Sequence, residues 1–137
     1  SKFAILSILS ICSLVVSSEV ISQYNLSKII VSDGKLAANP SQANDIYSKS
    51  LSTKDPDLRL FAIQLLYSMG ASDLGYKLAV DTNESFPRNL SIIDAMAIYH
   101  ESKSNFEVAN ALRKTMVELD PLNEQIRNKM KENLKKT

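Results

Sequence analysis

The stretch from Ser104 to Pro121, SNFEVANALRKTMVELDP, restricts the fold more than any other part of the chain. Phe106, Ala109, Leu112, Met116 and Leu119 recur every three or four positions. That spacing puts them on one stripe of a helix and would scatter them over both faces of a strand. Ser104 and Glu107 have the spacing of a capping box, in which a hydroxyl and an acid three residues on share the free amides of a first helical turn. Asp120-Pro121 closes the unit, because proline cannot continue a helix but fits the first turn of the next one. Such a helix cannot bury its stripe alone. The rest of the chain must supply partners of the same kind, and an all-α fold is the expectation.

Composition narrows the function classes. Three glycines and four prolines in 137 residues are too few for glycine-rich phosphate loops or for the turns of an all-β chain. Sixteen basic and fifteen acidic side chains leave a net charge of +1, so there is no electrostatic case for nucleic acid as a partner. Cys12 is the single cysteine, which excludes an internal disulfide framework and an all-cysteine zinc site. The length suits one domain, or a small domain with an anchor.

The chain starts with an uncharged run, Phe3 to Ser18, preceded by Lys2. Extended through Val20, Ile21 and Tyr24 it reaches about 20 residues, enough as a helix to cross a hydrocarbon layer of roughly 30 Å. Ser7, Ser10, Ser13 and Ser17 fall on one face, a stripe suited to packing against another membrane helix. Residues 1–24 are therefore expected to form a transmembrane helix that holds the protein in a membrane. A secretory signal peptide ending near Val16-Ser17-Ser18 is the alternative, and a buried soluble helix the third reading. Cys12 lies within the run beside bulky Ile11, which makes it packing filler rather than a lipidation site. Lys2 before the span and Glu19 after it put the remainder outside the cytoplasm, although Lys28 and Lys35 pull the other way.

Residues 25–137 read as a helical domain. Ser22 to Leu36 keeps a helical pattern through Leu26, Ile29, Ile30 and Leu36. Asn39-Pro40 opens a helix with Ala43, Ile46, Tyr47, Ser50 and Leu51 inward, and Asp55-Pro56 opens another with Leu58, Phe61, Leu65, Leu66 and Met69 inward. Gly70 is the natural stop. Asp73 to Glu84 carries a weaker stripe of Leu74, Leu78, Val80 and Thr82, flanked by Tyr76 and Ala79. Pro87 begins a helix whose inner face is Leu90, Ile93, Met96, Ala97 and His100. All four prolines thus fall at expected helix starts. In the last segment Leu122, Ile126, Met130 and Leu134 share one side, and Arg127, Lys129, Lys131, Lys135 and Lys136 charge the rest, as a capping helix requires. A membrane-surface role for this basic tail is the sharper alternative, weakened by Glu124 and Glu132.

Pro87 and Pro121 stand 34 residues apart, and Pro56 and Pro87 stand 31 apart. With two helices per interval, the chain resembles tetratricopeptide repeats, whose period is near 34. Leu90 to Pro121 looks like one such repeat, with Ile93, Met96 and small Ala97 on its first helix and Phe106, Ala109 and Met116 on its second. It departs from the family at His100 and Arg113, where an aromatic residue is usual. Pro56 to Pro87 resembles a repeat more loosely, with Gly70 in the turn and Gly75 where small packing is needed, and Asn39 to Pro56 resembles the second half of an earlier one. The resemblance implies a stack of antiparallel helical hairpins with a concave surface that takes a protein or peptide partner.

Nothing in this pattern carries chemistry, so no residue is assigned to catalysis, to a cofactor or to a metal. His100 is the single histidine and sits on an inward stripe, where packing is the expected role. Asp73, Asp81, Glu84, Asp94 and Glu101 are scattered, and no serine lies in a nucleophile elbow. Three glycosylation sequons, at Asn25, Asn83 and Asn89, are assigned nothing. The phrase FPRNLSIIDAMAIYHESKSNFEVANALRKTMVELDPLN, downstream of an apolar helix, resembles the C-terminal region of bacterial O-antigen ligase and polymerase-type membrane proteins. The resemblance implies a non-catalytic, extracytoplasmic tail on an inner-membrane glycosyltransferase that handles a lipid-linked glycan. That family's reactive residues lie in a membrane body these residues do not include. A stand-alone adaptor, anchored or secreted, is the alternative, and an open reading frame continuing upstream through more apolar segments would decide against it.

Overall fold

Two residues with left-handed backbone set the rhythm of the fold. Gly70 has φ 79° and Ser104 has φ 59°, and they stand 34 positions apart. Each ends a helix the same way. Gly70 N–H donates to Tyr67 O at 3.1 Å and Ala71 N–H to Leu66 O at 2.9 Å; Ser104 N–H donates to Glu101 O at 3.0 Å and Asn105 N–H to His100 O at 2.8 Å. This paired pattern satisfies carbonyls that a helix end leaves free and turns the chain back. Glycine meets the conformation without strain, whereas Ser104 carries a Cβ in a region that disfavours one.

The computed structural model describes residues 40–136, and among them it contains six α-helices and no strand. They are α1 (Pro40–Ser52), α2 (Pro56–Ser68), α3 (Ser72–Ser85), α4 (Leu90–Ser102), α5 (Phe106–Leu119) and α6 (Glu124–Leu134). The all-α expectation holds for these residues. None of these helices is long and apolar enough to cross a membrane. The expected span or signal peptide at residues 1–24, Cys12 and the helix expected from Ser22 to Leu36 lie outside the described residues.

Helix starts at 56, 90 and 124, and at 72 and 106, repeat the interval of 34. Each helix packs against the next along the chain, and α1 also meets α3 while α2 meets α4. With connections of only three or four residues, neighbours run antiparallel. One core gathers Ala43 and Ile46 of α1, Ala62, Ile63 and Leu66 of α2, Leu78 and Ala79 of α3, and Ile92 and Ala95 of α4; a second gathers Ile93, Met116 and Ile126. Close approach of α2 and α3 depends on Gly75, where a Cβ would stand 2.5 Å from the Tyr67 ring. Ala109, 34 positions later, is buried completely in the same role.

Several boundaries differ from the sequence reading. Pro56 does open a helix, and Asp55 caps it by accepting from Asp57 N and Leu58 N. Pro87 and Pro121 instead occupy turns two residues ahead of their caps. In both turns an asparagine closes the loop, Asn89 N donating to Phe86 O at 3.0 Å and Asn123 N to Asp120 O at 3.2 Å. Its side chain then accepts amides of the following helix. Fixed proline φ suits such a turn as well as a helix start. The capping box at Ser104 and Glu107 does not form, because Ser104 is already used to terminate α4 and Asn105 stands at the cap of α5 without a side-chain bond.

The inward faces shift as well. Leu51 and Phe61 are exposed, Phe61 to 42%, while Arg59 and Arg113 are buried. In α6 the inward side is Ile126 and Asn133 while Leu134 faces water, and Leu122 in the turn before it is 84% exposed. Lys131 explains why α6 has a solvated outer side. It occupies the place, 34 positions on, of Ala97 and before it Ile63, both fully buried. An exposed lysine there cannot serve as an apolar packing position.

Candidate functional site

Ser91, Asp94, Ile98 and Ser102 follow one another at spacings of three, four and four, so they form a single stripe along α4. At 1.5 Å per residue the stripe is about 16 Å long. Two cavities lie end to end on it. The first, about 390 Å³, is lined by Ser91 and Asp94 of α4, Gln64 of α2, Arg113 and Met116 of α5, and Gln125 and Lys129 of α6. The second, about 240 Å³, is lined by Ile98, Tyr99 and Ser102 of α4, Tyr67 of α2 and the turn residues Gly70 and Ser72. The result is a groove with α4 as its floor and α2 along one side. α6 walls the other side at its polar end. The helices that line it start 34 positions apart, which is why no continuous stretch of sequence spells it out.

The polar end rests on Arg113, whose side chain is 1% exposed. Its Nη1 donates to Asp94 Oδ1, its Nε donates to Glu101 Oε1 at 3.1 Å, and Asn133 Nδ2 of α6 donates to that same oxygen at 2.7 Å. The network ties α4, α5 and α6 together. A guanidinium withdrawn from water requires such pairing, since an unpaired buried charge costs several kcal/mol. Asp94 Oδ1 is spent on this pair, but the carboxylate remains 37% exposed at the cavity wall. At the other end of the stack Arg59 does comparable work, donating to Thr53 O at 2.7 Å, Leu51 O at 3.1 Å and Asp81 Oδ2 at 2.6 Å.

The apolar end is set by an aromatic clasp between α3 and α4. Tyr76 and Tyr99 stack with centroids 4.2 Å apart, and His100 stands edge-on to both rings. Tyr99 donates to Asp73 Oδ1 at 2.8 Å, and Lys103 pairs with Asp73 at 3.4 Å while lying over the Tyr99 ring. The Tyr99 hydroxyl bond, then the Lys103 charge, holds the Asp73 carboxyl below its usual value, and the same bond raises the Tyr99 phenol. Tyr67 donates to Ala95 O at 2.8 Å, and burial, reinforced by Tyr76 and Tyr99, pushes its phenol up. Tyr67 thus spans from α2 to the backbone of α4 and fixes the width of the groove.

His100, expected to pack inward, is half-buried with Nε2 3.0 Å from the Tyr76 hydroxyl. Four of the five scattered acids have partners: Asp73 with Tyr99 and Lys103, Asp81 with Arg59, and Asp94 and Glu101 with Arg113. Asn89 is the α4 cap. No group of three or more histidine, cysteine or acidic residues is arranged to hold a metal among the described residues. The sequence reading missed Arg59 entirely and met Arg113 only as a departure from a pattern. For Arg113 the available signal was a lone arginine on an apolar stripe with two acids, Asp94 and Glu101, two turns apart on the preceding helix; for Arg59 it was a lone arginine with Asp81 on the following helix.

Comparison of the chain with protein-family models, curated proteins and solved structures found no match. The groove must be read from its own chemistry.

Proposed function

We propose that residues 25–137 form a tetratricopeptide-like interaction domain that holds a segment of a partner protein in the groove along α4, without catalysing a reaction. The observation that carries the reading is the stripe Ser91, Asp94, Ile98 and Ser102, which joins a polar and an apolar cavity into one surface walled by helices of successive repeats. The interval of 34 between equivalent helix starts and equivalent left-handed residues supports the repeat assignment. Small Gly75 and Ala109 at equivalent positions support it too. Repeat stacks present extended surfaces of this kind because each unit contacts only its neighbours.

In the fuller form of the proposal, residues 1–24 anchor the chain in a bacterial inner membrane and the domain is the extracytoplasmic tail of a membrane glycan ligase or polymerase. The anchor rests on the apolar run from Phe3 to Tyr24, and the tail assignment on the resemblance of residues 86–123 to such tails. The test is a photocrosslinking amino acid placed at Ile98 in the native host. A discrete adduct from Ile98, and none from Lys114 on the solvent side of α5, is the expected result. Equal labelling from both positions would remove the groove from consideration.

A further inference from the structure

The charges around the polar cavity do not balance. Asp94 and Glu101 face a single guanidinium, Arg113, and Asp120 stands behind the cavity residue Asn123, bonded to its Nδ2 at 3.2 Å. Lys129 on the rim supplies the second cation, while Arg127 and Glu124 lie 3.9 Å apart and cancel each other. Asp94, Arg113 and Lys129 line the cavity itself, and with Glu101 and Asp120 behind that lining three carboxylates meet two cations. Lys129 is exposed and screened by water, whereas the Asp94–Arg113–Glu101 group is partly buried and screened less. Arg113 Nη2 is a buried donor with no aligned acceptor, since Glu101 Oε1 stands 3.1 Å from it but is engaged by Nε. Two carboxylates already outweigh this guanidinium, so an added anion is disfavoured there.

Building on the groove reading above, we propose that the bound segment is basic. It presents a lysine or arginine side chain to Asp94 and an apolar side chain to the cavity between Tyr67, Ile98 and Tyr99. Asp94 and Ile98 are one helical turn apart, about 6 Å along α4. An extended peptide advances about 3.3 Å per residue and repeats its side-chain direction every second residue, so the two anchors belong at positions i and i+2. The carboxamides of Gln64 and Gln125 beside them offer donors and acceptors to the main chain between. The smaller, apolar cavity is large enough for an aliphatic or aromatic side chain.

The experiment is selection from a phage-displayed library of random nonapeptides on the full chain in detergent micelles, followed by fluorescence anisotropy with the enriched peptide. The expected consensus pairs lysine or arginine with an aliphatic or aromatic residue two positions away. Replacing the peptide's cation with glutamine should weaken binding, as should Asp94→Asn. Because Asp94 also pairs with Arg113, the decisive variant is the exposed Lys129→Glu, which leaves the core untouched and should tighten binding by about threefold, the size of an exposed charge pair. Enrichment of acidic peptides, or weaker binding to Lys129→Glu, overturns the basic-partner assignment while leaving the groove in place. Enriched peptides that bind Ile98→Glu as well as the native chain, or no enrichment at all, overturn the groove reading itself.

Discussion

Gly75→Ala is the substitution whose outcome the packing decides most sharply. In an ordinary exposed helix the change gains about 1 kcal/mol, because alanine loses less backbone freedom than glycine. Here the new Cβ would stand 2.5 Å from two carbons of the Tyr67 ring and 3.2 Å from Ile63 O. The ring cannot simply swing aside, since its hydroxyl is bonded to Ala95 O on α4 and it is more than half-buried. Forcing a methyl group into a filled interface costs on the order of 1–3 kcal/mol. Net of the propensity gain, the variant should be destabilised by about 0–2 kcal/mol, a fall in melting temperature of up to about 10 °C for a domain near 100 residues. Far-UV circular dichroism during urea and thermal unfolding of the full chain in mild detergent measures it. Tyr67→Phe frees the ring from Ala95, so the double variant should lose less than the two single losses added together. A Gly75→Ala chain more stable than the native one would refute the α2–α3 approach described above.

Arg113→Ala strands Asp94 and Glu101 beside a void and should cost about 3–5 kcal/mol, with Arg113→Lys recovering little because one ammonium cannot replace the planar fork; urea midpoints of the two variants check this. Ser104→Gly should stabilise by up to about 1 kcal/mol by relieving a side chain from left-handed backbone, while Ser104→Val should destabilise; a thermal shift in the opposite order would contradict the turn. Asp73 has a depressed carboxyl pKa in the fold, so its contribution is present above its ordinary value of 3.8 and is lost as pH falls through the folded value. Native chain and Asp73→Asn should therefore differ in melting temperature at pH 6, and the difference should shrink as pH falls below 3.8; a difference that does not change on acidification would count against the Tyr99–Asp73–Lys103 clasp.

Much of the fold was legible because the relevant physics is local. The stripe of α5 and the stop at Gly70 depend on residues within one or two turns of each other. Ser104 shows where local reading fails. One residue had two local uses, ending α4 or capping α5, and the better-satisfied pair of α4 carbonyls won. Phe61 and Arg59 show the same limit for burial. On hydropathy Phe61 belongs inside, yet Arg59 takes the buried place because its acceptors lie on the end of α1, on the α1–α2 turn and on α3.

By itself, then, the order of residues determined that the chain is helical from residue 40 onward, where most helices end, and at what interval the pattern returns, since each is decided within a helix or its flanking turn. Only the packed structure decided which arginines are internal, how closely α2 approaches α3, and that Gln64, Asp94, Ile98 and Lys129 share a groove. Those residues come from helices separated in sequence by whole repeats, and their meeting follows from how side chains fill the space between helices, a quantity that periodicity does not carry.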